Sequence, residues 1–239
     1  MKPIYVPKGK AKEYGDYAIN IYTGCPHECY YCFAPNVLHK VRDDFHKCVE
    51  PRKNIVEEVR KQIERENITG KLIHLCFTCD PYPVGYDTTP TREIIKILKD
   101  SGNNVQILTK CDGSRDFDLL DENDWYGITV SCTPYKAKEV EPKALSPFLR
   151  LRYLEIAKQK GIKTWVSFEP VIEERSVLAC ISTFHEIIDK VKIGKLNYHP
   201  SDIDWKAFGK KAEALCKELN LDCYIKDSLR EEMLKGGAG

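Results

Sequence analysis

The 239-residue chain predicts an α/β fold of one domain, in which parallel strands are joined by helical crossovers. Three observations lead there. Short runs rich in β-branched and aromatic residues alternate with segments of helical periodicity. About six such strand–helix units follow one another. No apolar run approaches the ~18 residues of a membrane span. Six units suit a partial (βα)6 TIM-type barrel better than a full barrel, which takes roughly 250 residues. An open doubly wound sheet is the alternative. In both, chemistry gathers at the C-terminal ends of the strands.

The predicted strands are 17–22 (YAINIY), 72–77 (LIHLCF), 105–109 (VQILT), 128–133 (ITVSCT), 163–168 (KTWVSF) and 191–196 (VKIGKL). Helical spacing links Val56, Val59 and Ile63, and again Ile94, Ile95 and Leu98. It recurs at Val177, Ile181, Phe184 and Ile188, and at Trp205, Phe208, Ala212, Leu215 and Leu219. Ser146-Pro147 offers an N-cap followed by proline at the first helical position, and Gly102 and Gly161 stand where C-terminal caps belong. The barrel is expected over 17–230, after an N-terminal arm at 1–16 and before a flexible tail at 231–239. The arm carries Lys2, Lys8, Lys10 and Lys12, and a solvated, partly ordered segment is expected there.

Composition narrows the function classes. Lys and Arg total 37 against 36 Asp and Glu, a net charge of +1. That gives no support to a strongly electrostatic nucleic-acid binder, though a local basic groove stays open. The N-terminus has no apolar secretory region, so a cytoplasmic enzyme is expected. Eleven cysteines are many for this length, and the number is odd. In a chain without a secretion signal they favour metal binding or redox chemistry over disulfides.

Gly24-Cys25-Pro26-His27-Glu28-Cys29-Tyr30-Tyr31-Cys32 is a C-x3-C-x2-C run in the loop after the first predicted strand. Three thiolates this close can bind three irons of a [4Fe-4S] cubane. No fourth cysteine follows at ferredoxin spacing, so one iron is left open for a substrate or cofactor. The competing reading is a structural zinc site with His39 or His46 as fourth ligand, which would make the chain a zinc-stabilised binding module.

This motif in its βα context resembles the radical S-adenosylmethionine (SAM) superfamily. Asn20-Ile21-Tyr22-Thr23-Gly24-Cys25-Pro26-His27, Thr78-Cys79-Asp80-Pro81-Tyr82 and Ile107-Leu108-Thr109-Lys110 are similar to its spore photoproduct lyase-like branch, over roughly residues 17–200. The resemblance implies that Cys25, Cys29 and Cys32 hold a [4Fe-4S] cluster whose open iron binds SAM. Reductive cleavage would then give a 5′-deoxyadenosyl radical that abstracts hydrogen from substrate. It implies a reductant such as flavodoxin or ferredoxin and no membrane partner. A nucleic acid or nucleoside is the substrate class suggested by analogy, and an activase acting on a partner protein is the alternative.

The strand-end rule selects Thr78, Cys79 and Asp80, then Lys110, Ser131, Thr133, Ser167 and Glu169. By resemblance Lys110 and Ser131 contact SAM: lysine pairs with its carboxylate, and serine hydrogen-bonds the carboxylate or ribose. Thr78, Asp80 and Glu169 join them as candidate cofactor-binding residues. A carboxylate such as Glu169 at the end of a buried strand must be paired or face a cavity, so a pocket role competes with a structural salt bridge. Tyr31, Cys76 and Cys79 are the candidate catalytic residues, since a thiol near the adenosyl radical can donate hydrogen. Alternation puts His74, Cys76 and Thr78 on one face of their strand, and Cys111 and Cys132 lie beside other strand ends. Tyr30, Tyr31, Tyr82, Tyr86 and Tyr135 are candidates for base stacking. One departure from the family pattern stands out. The lyase has a second tyrosine directly after the third cysteine, where this chain has Phe33. Spore photoproduct lyase activity itself is therefore not expected.

Overall fold

The computed structural model describes residues 2–235. Its elements run β1 (Ile4–Tyr5), β2 (Tyr17–Ile19), α1 (Ala34–Val37), α2 (Arg42–Lys47), α3 (Ile55–Glu66), β3 (Leu72–Leu75), α4 (Thr89–Asp100), β4 (Asn104–Thr109), β5 (Trp125–Thr129), α5 (Pro134–Val140), α6 (Pro147–Gln159), β6 (Lys163–Phe168), α7 (Glu174–Phe184), β7 (Lys190–Ile193), α8 (Trp205–Glu218), β8 (Asp222–Ile225) and α9 (Asp227–Leu234). All eight strands form one sheet in chain order. β1 is antiparallel to β2, and every later pairing is parallel. The order does not return on itself, so the barrel is open, with one βα unit more than the sequence predicts.

Helices form where the apolar spacing requires them. Val59 and Ile63 of α3, Ile94, Ile95 and Leu98 of α4, Val177 and Ile181 of α7, and Phe208 and Ala212 of α8 are buried against outward-facing strand residues such as Ile73, Val105, Ile107, Val166 and Val191. α6 starts at Pro147 after Ser146, and Gly102 and Gly161 take left-handed φ of +71° and +80° just past α4 and α6. Inward positions carry His74, Gln106, Trp165, Ser167 and Lys192. The Trp165 indole donates to the Ile107 carbonyl at 2.9 Å. It lies so close to Gly127 that a Cβ there would come within 2.1 Å of the ring.

Several expectations need correction. β5 begins at Trp125, three residues before the predicted strand, because Gly127 lies inside it rather than before it; 130–133 run on as loop. β8 has no strong sequence signal, since it is four residues long, opens on Asp222 and holds one β-branched residue, Ile225. Residues 2–16 are more ordered than expected, although Lys2, Lys8, Lys10 and Lys12 are exposed: β1 pairs with β2, and a 3-10 turn at Gly9–Glu13 leads Tyr14 into the barrel interior. At the other end α9 takes in residues 231–234 of the expected tail, and 236–239 lie outside the described residues. The shared face of His74, Cys76 and Thr78 is also broken. β3 stops at Leu75, Cys76 turns into the left-handed region at φ +69°, and Phe77 is the residue stacked on His74, at 4.2 Å between ring centroids.

Candidate active site

The three-cysteine loop leaves the C-terminal end of β2 and is tied down on both sides. Gly24 lies against α2, where a Cβ would come within 2.2 Å of the Phe45 carbonyl oxygen and 2.9 Å of that of Cys48. Only glycine allows this approach. The Cys25 amide donates to the Phe45 carbonyl at 3.3 Å, and His46 Nδ1 donates to the Cys25 carbonyl at 2.7 Å. Arg42 gathers the far half of the loop, donating to the carbonyls of Cys29, Cys32 (3.2 Å) and Tyr30 (3.0 Å).

Burial pushes the thiols up: Cys25 well above its ordinary value, Cys29 to about 12. Thiolates here need a cationic partner, and a bound metal centre is one. Among the described residues no three His, Cys, Asp or Glu side chains gather as ligands of a single ion. Thiolates of a four-iron cluster each bind a different iron, whereas those of a zinc site share one ion about 2.3 Å from each sulfur. Three thiolates on one loop are a donor set that a four-iron cluster can use, one sulfur to each of three irons. His39 is exposed, whereas His46 donates from Nδ1 to the Cys25 carbonyl and keeps a shielded Nε2 without a hydrogen-bond partner among the described residues.

Beneath the loop lies a buried polar network. Glu141, just past α5, pairs with Arg150 of α6 at 2.5 Å, with both side chains fully shielded. Arg150 is completed by the Thr129 carbonyl at 2.8 Å and that of Leu145 at 2.6 Å. The other Glu141 oxygen accepts from Ser131 at 3.0 Å and from the Tyr31 hydroxyl. Tyr31 and Ser131 are thus brought together, 3.1 Å apart. Burial and then the Glu141 charge raise the Tyr31 phenol well above its ordinary range, so it stays protonated. Burial opposes charge on Glu141, but Arg150 and Lys110 outweigh it and hold the carboxyl below its ordinary value.

Lys110 follows β4, with its ammonium 5.5 Å from the centre of the Tyr31 ring. Burial works against its charge, but Cys29 and Glu141 outweigh it and its pKa is raised. Among the described residues no carboxylate lies within 4 Å of this cation. Asp80 is fully used from within: Oδ1 accepts from the Tyr82 amide (2.8 Å) and the Thr109 hydroxyl (2.6 Å), and Oδ2 from the Lys110 amide (2.8 Å). Its Oδ2 lies 3.6 Å from Nδ1 of His27, a residue of the cysteine loop. Burial lowers the His27 pKa, so the ring is neutral there, with a shielded Nε2 that has no hydrogen-bond partner among the described residues. Asp80 thus joins the ends of β3 and β4 to the loop. The Thr78 hydroxyl is buried and likewise lacks a partner.

Other predicted residues fall elsewhere. Glu169 forms the salt bridge of its two readings, accepting from Lys226 at 2.7 Å, and it also accepts from Tyr14 at 2.5 Å. Its partners are thus distinct from those of Lys110 and Ser131. Cys76 and Cys79 lie toward β2, where the Tyr22 amide donates to Cys79 Sγ at 3.4 Å. Cys132 fills a small apolar cluster with Ala137 and Val140. Of the tyrosines, Tyr82 is buried, and Tyr30, Tyr86 and Tyr135 are exposed. Glu141, Arg150, Arg42, His27 and Tyr14 were not singled out from sequence. Only the C-x3-C-x2-C loop itself hinted at His27.

No family model matches the chain. Its curated relatives are uncharacterized proteins. One from Acidianus two-tailed virus is 30% identical over 199 residues, covering 76% of this chain and 65% of that protein. One from Methanocaldococcus jannaschii is 27% identical, covering 73% and 65%. One from Mycobacterium tuberculosis is 29% identical, covering 66% and 50%. The chain thus spans between half and two thirds of the length of these relatives. Among solved structures it is similar to spore photoproduct lyase complexed with dinucleoside spore photoproduct, with TM-score 0.69, 14% identity, and coverage of 92% of this chain and 79% of that one. A mutant of that lyase with bound AdoMet gives TM-score 0.68 at 13% identity, covering 92% and 79%. Streptococcus suis SuiB bound to S-adenosylmethionine gives TM-score 0.64 at 9% identity, covering 87% and 46%. At these identities the likeness concerns the fold, and the chain has the open α/β barrel of spore photoproduct lyase and SuiB.

Proposed function

We propose that the chain is a radical SAM enzyme. The observation that carries this reading is the position of Cys25, Cys29 and Cys32 on one tethered loop at the C-terminal edge of an open barrel, beside the ammonium of Lys110, which makes no salt bridge among the described residues. Its support is the donor set, which suits a multi-iron cluster, and a fold shared with two proteins solved with S-adenosylmethionine. When bound, the cluster supplies the electron that cleaves SAM, and SAM supplies the radical that takes hydrogen from substrate. Cys25, Cys29 and Cys32 would hold the cluster. Lys110 would meet the SAM carboxylate. Tyr31 and Ser131, fixed by Glu141, would wall the pocket and keep water from it. Asp80 would act by holding Lys110, His27 and the loop in register rather than by direct contact, since its oxygens are already engaged. Low-potential chemistry suits a reducing compartment and a flavodoxin- or ferredoxin-type donor.

Two substrate classes deserve trial, because one neighbour holds a dinucleoside spore photoproduct and SuiB has been solved with a precursor peptide. Anaerobic reconstitution should give about four irons per chain and 5′-deoxyadenosine from SAM plus reductant. Deuterium transfer into 5′-deoxyadenosine from a labelled nucleic acid or peptide would identify the substrate. A colourless protein that binds one zinc and leaves SAM intact would refute the reading.

A further inference from the structure

The sheet has two edge strands, β1 and β8, and the seam between them is where the barrel stays open. Residues 9–15, which lie between β1 and β2 in the chain, cross that seam. Glu13 reaches β8 and the start of α9. Its Oε1 accepts from the Asp227 amide at 2.9 Å and from the Tyr224 hydroxyl at 3.3 Å, and its Oε2 lies 3.2 Å from Lys226 Nζ. The Glu13 carbonyl accepts from Lys192 of β7 at 2.6 Å, and Lys10 donates to Asn197 at 2.8 Å. The Tyr14 ring enters the barrel, its centroid 5.7 Å from those of His74 and Phe77 and 5.9 Å from that of Trp165. Its phenol donates to Glu169 at 2.5 Å, and its carbonyl accepts from Gln106 at 2.9 Å.

This crossing is held almost wholly by polar contacts. None of residues 9–13 is buried, and Tyr14 supplies the only ring. A segment with few buried apolar groups and water-replaceable hydrogen bonds opens at lower free energy than the core it lies on. Its anchors also keep partners without it. Lys226 still has Glu169 at 2.7 Å, Gln106 still faces Nδ1 of His74 at 2.9 Å, and Asp227 is exposed, so water reaches its amide. Lifting the segment therefore strands no buried charge, which is the usual penalty for breaking a buried ion pair. Gly9, at φ +57°, and Gly15 bound the segment, and neither is crowded by a neighbour. Both ends can thus absorb a change of backbone angle. Lys192 is the group that changes most. It is 7% exposed, it makes no salt bridge among the described residues, and the Glu13 carbonyl covers its ammonium.

We propose that residues 9–15 form a hinged strap that gates the barrel interior at the seam between β1 and β8, lifting away as a unit while the barrel stays folded. Closed, the strap fills the interior with the Tyr14 ring and covers Lys192. Open, it exposes Lys192, Trp165, His74 and Gln106 to whatever enters at the seam. In the radical SAM reading the strap is the door by which substrate reaches the interior, and that clause alone rests on the reading.

The test uses the full chain under native conditions, after anaerobic reconstitution with iron. Short pulses of N-hydroxysuccinimidyl acetate acetylate the lysines that the reagent reaches, and peptide mass spectrometry reads each one. Hydrogen exchange on the same preparation reads the amides. Burial, followed by the Lys226 charge, lowers the Lys192 pKa to about 8, so its amine reacts at pH 8 once uncovered. The amides of residues 10–14 should exchange, and Lys192 should be acetylated, through openings roughly 100-fold more frequent than those that expose the β6 amides. Tyr14→Phe, which takes one hydrogen bond from the strap, should raise Lys192 acetylation roughly tenfold or more. Exposed Lys210 on α8 should react at an unchanged rate. Lys192 reacting only as fast as the β6 amides exchange, or reacting while the strap amides stay protected, would overturn the proposal. So would a Tyr14→Phe rate equal to that of the native chain. The wild-type comparison decides the matter even where a variant fails to fold. A protein that takes up no iron and still opens in this way would refute the radical SAM reading alone.

Discussion

Glu141 and Arg150 meet at 2.5 Å with both side chains withdrawn from solvent, and this pair holds Tyr31 and Ser131 in place. Each guanidinium nitrogen of Arg150 and each oxygen of Glu141 has a hydrogen-bond partner, so the desolvation of two charges is offset inside one network. Removing one partner leaves the other buried and uncompensated. Glu141→Gln should lower the unfolding free energy by about 3 kcal/mol. For a chain of this size that is a fall in Tm of roughly 6–12 °C, measurable by urea and thermal denaturation.

The same carboxyl makes stability depend on acid. Its folded pKa lies below the ordinary 4.5, so the unfolded chain takes up a proton first as pH falls. The contribution of Glu141 is complete above about pH 4.5 and is lost as pH drops through the lower folded value. Urea unfolding from pH 7 downward should show this loss in the native protein. The Glu141→Gln profile should be flatter in that window.

Tyr14 and Lys226 give an ordered comparison. Both donate to the same Glu169 oxygen. Tyr14→Phe removes one charge-assisted hydrogen bond and should cost about 2 kcal/mol. Lys226→Met strands a carboxylate and should cost about 3–5 kcal/mol. Urea denaturation of the two variants checks this order, and equal losses would overturn it.

Gly24→Ala tests the tether of the cysteine loop. The added carbon meets backbone oxygens rather than flexible side chains, so the loop must shift while the barrel stands. Iron retention after reconstitution should weaken roughly 10-fold, with far-UV circular dichroism unchanged.

Lys110→Met separates SAM binding from cluster binding. Loss of one charge-assisted contact should weaken SAM affinity roughly tenfold or more. Iron content should stay at the wild-type level, because Lys110 is not one of the loop cysteines. Equilibrium dialysis and iron analysis on one preparation check both halves.

The alternation of strands and helices could be read along the chain because periodicity is a local property. Val59 with Ile63, and Phe208 with Ala212, face the core as their spacing requires. The cysteine loop is legible for the same reason: its three cysteines lie within eight residues, Cys25 to Cys32. Short strands with broken patterns were not. β8 is only four residues long with a single β-branched residue, Ile225, and β5 carries a glycine in its middle. No membrane-spanning helix is expected from the sequence, and no helix among the described residues is long and apolar enough to cross one.

By itself, then, the sequence determined the order of the βα units and which three thiols share a loop. Tertiary structure decided what surrounds them. Tyr31 finds Glu141 across 110 residues, and Tyr14 finds Glu169 across 155. Neither partner is marked by spacing, because a buried charge is stabilised by whichever groups the closed fold brings within hydrogen-bond reach. That reach is set by the packing of the barrel and not by the chain between them.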